Sequence, residues 1–413
     1  MRLILFAASG VVMAAGLRAQ APTPLAQLLA EAERNNPEIS AAQHVWRAAT
    51  HSRAQVTALP DPQFTLQQFS VGSPRPFAGF NSSNFAYVGI GASQELPYPG
   101  KLGLKGQAAD READVEHAQI GVVRASIAQQ VKLAYVRLAS LQRTLKLFED
   151  SRATLGQMIE TELSRYSTGQ GNQADVLKAQ LERTRLLTEI TARREDVAQA
   201  QADLKQALHR PQDSEDIVAE DLRPTTLGYD SRELLELARK QNPEVQVDLN
   251  AIEKQKAEVQ SAARAGKPDF SIGYMYQRTG DDFPAYYMLT FNLILPRRQR
   301  VSAQIEQAAE SVKSAQARLD AQLQQQLASV QKEFAAATST ADLMADYNQG
   351  VIPQAEAGFH AVLTEYASGK QQASSALESF DEMLQLHRQY ERVLLDHEIA
   401  IIQLETLTGA ELR

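Results

Sequence analysis

The sequence predicts a mainly α fold with a small β part, built as two copies of one unit. Three observations predict it. Short segments recur in the same order about half a chain apart. Long stretches of strong helix formers carry a seven-residue apolar period. Between the shorter helices lie pairs of alternating segments about ten residues long, a tilted strand's span across a bilayer.

The duplication comes first. Leu28-Leu29, Asn36-Pro37-Glu38-Ile39 and Pro62-Gln63-Phe64 return as Leu234-Leu235, Asn242-Pro243-Glu244-Val245 and Pro268-Asp269-Phe270, each at an offset of 206. Leu96-Pro97 and Lys101 return as Leu295-Pro296 and Arg300. Arg165-Tyr166-Ser167-Thr168-Gly169-Gln170 returns as Glu365-Tyr366-Ala367-Ser368-Gly369-Lys370, at an offset of 200, so the first copy carries an insertion near residues 70–84. The expected division is residues 22–210, a link at 211–230 holding only Pro211 and Pro224, and residues 231–413. A conventional active site is rarely duplicated in this way.

Residues 1–21 have the pattern of an export signal: Arg2, an apolar run from Leu3 to Leu17, then Ala19-Gln20-Ala21. Beyond it no apolar run reaches the 18 residues of a membrane helix. An exported chain without such a run is soluble or a β-barrel.

The long helices follow from composition and period. From Lys101 to Arg210 there is no proline. Ile127, Val131, Ala134, Leu138, Leu141, Leu145 and Phe148 form a heptad seam. Leu323, Leu327, Val330, Phe334, Ala337, Ala341 and Met344 repeat it in the second copy. Met383, Leu386, Tyr390, Val393, His397, Ala400, Leu404 and Leu407 carry it further, and Ile190, Val197 and Leu204 keep the same spacing. Each copy is expected to hold two helices joined at Tyr-x-x-Gly, because glycine tolerates the left-handed backbone that ends a helix. The first, from Lys101 to Tyr166, is expected to run roughly 95 Å. Pro353 falls in the outgoing helix of the second copy, where the first has Ala153, and is expected to kink it.

Four strands are expected. Phe270, Ile272, Tyr274 and Tyr276 alternate with smaller or polar residues, as do Tyr287, Leu289, Phe291, Leu293 and Leu295. Phe64–Val71 and Phe85–Glu95 alternate less sharply. Phe64, Phe85, Tyr98, Tyr276 and Tyr286 at the strand ends suit membrane interfaces. Ser73–Ser83 and Thr279–Ala285 are expected as loops. Pro97, Pro99 and Gly100, with Pro296 in the second copy, mark the passage from strand to helix. The residues by themselves also fit two soluble hairpins; if the strands span a membrane, four cannot close in lipid and several copies must pool them.

Composition excludes other chemistry. With no cysteine there are no disulfides, thiolate metal sites or thiol nucleophiles. Net charge is −8 and no basic stripe appears, which speaks against nucleic acid. The seven histidines, His44, His51, His117, His209, His360, His387 and His397, show no metal-binding spacing, and His397 lies in an apolar seam. No metal or cofactor is expected. There is no Gly-x-Ser-x-Gly or phosphate loop, and Gly100-x-x-Gly103-x-x-Gly106 lacks a βαβ unit and is expected to be a turn. Glu149-Asp150 is expected as solvated helix surface. Catalysis is not expected.

The paired Asn-Pro-Glu motifs, the turn Gln94-Glu95-Leu96-Pro97-Tyr98-Pro99-Gly100-Lys101, the paired Tyr-x-x-Gly motifs and the duplication together resemble the TolC family of outer-membrane efflux proteins. The Leu-Pro-Tyr-Pro-Gly-Lys turn looks most like the branch serving heavy-metal exporters of the resistance-nodulation-division type. The resemblance implies a homotrimer whose pooled strands form a twelve-stranded transmembrane β-barrel in the outer membrane, with the helical hairpins forming a periplasmic α-barrel. It implies a periplasmic adaptor and an inner-membrane pump as partners, and outer-membrane lipid around the barrel. It implies a passive duct for metal cations or small toxic compounds. The alternatives are a conduit for type I protein secretion and a periplasmic coiled-coil adaptor or scaffold.

By the same resemblance the duct closes where the hairpins turn. Asp175, Tyr366, Gln371 and Glu378 are then the gate. Asp175 is within possible reach of Tyr366, and Glu378, once per chain, would form a cation-favouring ring. Where the family's prototype has an arginine tether this chain has Gln371 beside Lys370, so a weaker charge lock is expected. Tyr166, Gly169, Tyr366 and Gly369 are the expected adaptor-binding tips.

Overall fold

The computed structural model describes residues 21–280 and 282–412. The expected export signal falls almost wholly on residues 1–20, outside the described residues. The elements run α1 (Leu25–Asn35), α2 (Pro37–Thr57), β1 (Gln63–Phe69), β2 (Tyr87–Leu96), α3 (Lys101–Ser167) and α4 (Gln173–Ala207). The second copy follows with α5 (Ser231–Gln241), α6 (Pro243–Ala265), β3 (Asp269–Arg278), β4 (Tyr286–Ile294), α7 (Arg298–Asp346), α8 (Ile352–Ala367) and α9 (Ala373–Thr408). No helix among the described residues is long and apolar enough to cross a membrane.

Both Asn-Pro-Glu motifs are helix starts. The Asn36 side chain accepts a hydrogen bond from the Glu38 backbone N–H at 2.8 Å, and Asn242 accepts from those of Glu244 and Val245 at 2.8 and 3.3 Å. Pro37 and Pro243 enter the first turn, where an N–H would lack a helical partner, and the glutamates face the positive end of the helix. Both Tyr-x-x-Gly motifs are helix ends. Gly169 and Gly369 have φ of +72° and +77°. The Gln170 and Lys370 N–H groups donate back to the Arg165 and Glu365 carbonyls at 2.9 Å.

The strands form one antiparallel sheet in the order β1-β2-β3-β4. Its centre is the pairing of β2 from the first copy with β3 from the second, Ile90 opposite Tyr276 and Gln94 opposite Ile272. The register sorts the two faces by chemistry. One face carries the rows Leu66-Ile90-Tyr276-Tyr287 and Phe64-Ala92-Tyr274-Leu289, with Ile272 and Phe291 beyond them. The other carries Gln63-Ser93-Gly273-Thr290, Thr65-Gly91-Met275-Met288 and Gln67-Gly89-Gln277-Tyr286, with Phe69 and Tyr87 at one end, and is the more polar of the two. The apolar face is bare within the chain: Phe64 is 80% exposed and Leu289 77%. β1 and β4 each have one ladder partner, leaving two edges of the sheet.

The passage from β2 to α3 is tied down at several points. Lys101 Nζ lies 2.8 Å from Asp269 Oδ2, and the Tyr98 N–H donates to Asp269 Oδ1 at 2.8 Å. Arg264 donates to the Pro99 carbonyl at 2.8 Å and stacks over the Tyr98 ring. Gly100 has φ +90° and makes the turn. Gly103 and Gly106 correct the sequence expectation, because both lie inside α3 and only Gly100 turns the chain. A Cβ at Gly106 would meet Thr57 at 2.6 Å, so this glycine allows close approach of α2. Pro353 acts as expected. It offers no N–H to the Gln349 carbonyl and crowds it, and a π-helical turn at Tyr347–Val351 absorbs the strain, while α3 passes Ala153 unbroken.

The described chain divides into two compact units, and neither coincides with a repeat. One comprises residues 32–130, 224–346 and 396–412 and holds the sheet. Leu234 and Ala238 of α5, Val330 and Ala337 of α7, and Ala400, Ile401 and Leu404 of α9 form a core there. Each buried Leu or Ile adds roughly 1.5–3 kcal/mol. His397 is packed in that unit, 2.8 Å from the Thr225 carbonyl through Nε2 and 3.1 Å from the Ala337 carbonyl through Nδ1. The other unit comprises residues 21–31, 131–223 and 347–395 and holds the hairpin ends.

In that second unit much of the link between the copies is fastened to α3 and α4. Buried Lys205 donates to the Ser214 carbonyl at 2.7 Å and to Asp216 at 2.8 Å. Gln201 exchanges two hydrogen bonds with the Ile217 backbone, and the Tyr135 hydroxyl accepts from the Glu220 N–H at 2.9 Å. These bonds satisfy polar groups that would otherwise cost energy to bury.

Candidate functional site

The residues expected at the gate gather at the ends of α3 and α8 and the starts of α4 and α9. A cluster of buried side chains supports them. Phe148, Leu155, Met158 and Ile159 of α3 pack with Ala179, Leu186 and Ile190 of α4, with Phe359 of α8, and with Ala376, Leu377 and Phe380 of α9. The heptad seam of α3 runs straight into this cluster, which is why the two hairpins share one core.

Tyr366 sits in the cluster at 1% exposure. Among the residues expected at the gate and the tips, Tyr366 has its ring covered within its own chain. Its counterpart Tyr166 is 48% exposed. The difference comes from the helix faces: α8 turns Tyr366 toward α3, while α3 turns Tyr166 outward.

Three residues of α3 surround Tyr366. Its hydroxyl reaches the Met158 carbonyl at 3.3 Å. Arg165 donates to the Tyr366 backbone carbonyl at 2.8 Å, and its guanidinium lies 5.3 Å from the ring centroid. Glu162 is buried at 3% exposure. Burial first, then hydrogen bonding to Glu162, push the Tyr366 hydroxyl above its ordinary range, so it stays protonated as a donor. Asp175 adds a weaker push in the same direction and Arg165 opposes it. Asp175 is half-buried in the first turn of α4.

Glu378 is exposed on α9. It lines a groove of about 680 Å³ floored by Phe148, Leu155, Leu186 and Phe380. Lys178, Arg185 and Arg388 share its lining with Glu182, Glu189 and Asp381. Gln371 is half-buried in the second turn. A Cβ added at Gly169 would meet open space, and one at Gly369 would stand 3.7 Å from Arg165 Nη2.

The sequence did not single out Arg165 or Glu162. One signal was available: Arg165 stands where the second copy has Glu365, a reversal of charge beside the shared tyrosine.

The outer membrane efflux protein family model matches residues 28–209 and 234–410. The solved Campylobacter jejuni CmeC outer membrane channel is similar at 11% identity, over 94% of this chain and 86% of that one, with a TM-score of 0.77. The outer membrane protein VceC from Vibrio cholerae is similar at 17% identity, over 94% and 97%, with a TM-score of 0.75. The open state of the Neisseria gonorrhoeae MtrE outer membrane channel is similar at 16% identity, over 94% and 89%, with a TM-score of 0.76. At these identities the likeness is one of fold. No curated protein sequence matches the chain.

Proposed function

The chain belongs to the outer membrane efflux protein family, and from that premise we propose that three copies form one duct that passes metal cations or small toxic compounds outward. The observation that carries this reading is the sheet. It has a bare, mostly apolar face, a more polar opposite face and two edges with no partner in the chain. In lipid each unpaired edge group costs several kcal/mol, so β1 of one copy must pair with β4 of the next. Closure puts the apolar rows against lipid and the polar rows in the lumen. The two repeats, 22–210 and 231–413, then each supply two strands and one hairpin, behind an export signal at 1–21. The hairpin ends carry the gate at Asp175, Tyr366, Gln371 and Glu378. Tyr166, Gly169 and Gly369 meet the adaptor, which links the duct to an inner-membrane pump.

The test is assembly and conductance. Protein extracted from membranes is expected to require detergent, to run as a trimer and to insert single channels into planar bilayers. A stable monomer in buffer without amphiphile would sink the reading.

A further inference from the structure

We propose that Arg165 is the latch of this gate: a cation from the end of the first hairpin that clasps the end of the second. The inference rests on the duct reading above and deepens its regulation. Arg165 lies at the end of α3, two residues before that helix stops. It reaches across to α8 in two ways at once. Its Nη1 donates to the Tyr366 carbonyl at 2.8 Å, and the same guanidinium covers the Tyr366 ring. That carbonyl belongs to the last turn of α8, where helical partners run out and negative partial charge collects. The carbonyl also accepts from the Gly369 N–H at 3.0 Å, so Arg165 takes its remaining lone pair and meets the helix dipole there.

The clasp has a seat. Tyr366 is buried beside Glu162 and the Met158 carbonyl, both from α3. The Glu162 and Arg165 side chains and the Met158 main chain of α3 thus hold one residue of the other hairpin. Arg165 Nη2 also stands 3.7 Å from where a Cβ on Gly369 would be, so the latch lies against the second tip itself. Opening the hairpins requires Arg165 to leave the carbonyl and the ring together. The charge reversal between Arg165 and Glu365 makes the clasp one-way: only the first hairpin holds the cation.

The chain has no cysteine, so paired labels are clean. Thr168→Cys with Ser368→Cys places spin labels on the two exposed tips of the purified full-length protein in detergent. Single-channel conductance in planar bilayers is the second readout. Arg165→Ala is expected to widen the label distances and raise the open population about tenfold, the equivalent of one charge-assisted hydrogen bond. Arg165→Lys, which keeps charge but loses the planar fork, is expected to fall between. Arg152→Ala, which removes an exposed charge elsewhere on α3, is expected to change neither. Arg165→Gln stands in if the alanine variant does not assemble. Unchanged tip distances and conductance in Arg165→Ala overturn the latch, as does an equal response to Arg152→Ala. If the parent protein assembles no channel, the duct reading fails, while the label distances still judge the clasp.

Discussion

Replacing Glu391 with alanine is expected to destabilise the hairpin-end unit by about 2 kcal/mol. Glu391 of α9 receives two hydrogen bonds from Arg143 of α3, Nε to Oε2 and Nη2 to Oε1, each at 2.8 Å. Their side chains are 12% and 28% exposed. Two charge-assisted bonds carry roughly 3–6 kcal/mol at full strength. Two features reduce this. Arg143 keeps Asp221 at 2.7 Å and the Leu222 carbonyl at 3.0 Å after Glu391 is gone. It is also open enough for water to replace part of what is lost. The hydrogen bond to Glu391 holds the Arg143 guanidinium above even its normal high range, against the opposing effect of burial. The assay is a double-mutant cycle of Arg143→Met and Glu391→Ala, followed by guanidinium unfolding in detergent with helical circular dichroism. The expected coupling is about 2 kcal/mol. A coupling under about 0.5 kcal/mol would show the pair behaving as surface charges and refute the reasoning.

Burial first, then Glu244, raise the Asp248 carboxyl above its usual 3.8 despite Arg318. A raised acid stabilises the fold fully below its unfolded pKa and loses that contribution as pH rises through the folded value. Asp248→Asn should therefore melt above the parent at neutral pH, with the gap closing below about pH 4; a gap constant across pH would contradict this. Gly169→Ala at φ +72° meets open space, so it should cost about 1–2 kcal/mol of local turn stability and leave trimers intact by gel filtration. Gly169→Val and Gly369→Val should abolish efflux in cells while trimers persist, and loss of the trimer would assign those glycines to folding instead. Glu378→Ala should lower cation selectivity in bilayer reversal potentials, and unchanged selectivity removes Glu378 from the lumen.

The sequence by itself determined the elements and their order. Asn36-Pro37-Glu38 and Asn242-Pro243-Glu244 are local capping chemistry, so both helix starts were legible. Gly169 and Gly369 end helices by backbone conformation alone, and alternation placed all four strands to within a few residues. Pro353 marked its own break. These features depend on neighbours within a helical turn or a strand repeat. The tertiary structure decided what lay between distant segments. It paired β2 with β3 across the copies, fastened the link to Lys205 and Gln201, and placed Gly106 against Thr57. At the hairpin ends it buried Tyr366, exposed Tyr166 and brought Arg165 to the Tyr366 carbonyl, some 200 residues away along the chain. The two tyrosines stand in equivalent motifs, and no local signal separates them. Which one is covered depends on the helix face that meets the shared core, and that face is fixed only when both hairpins pack together.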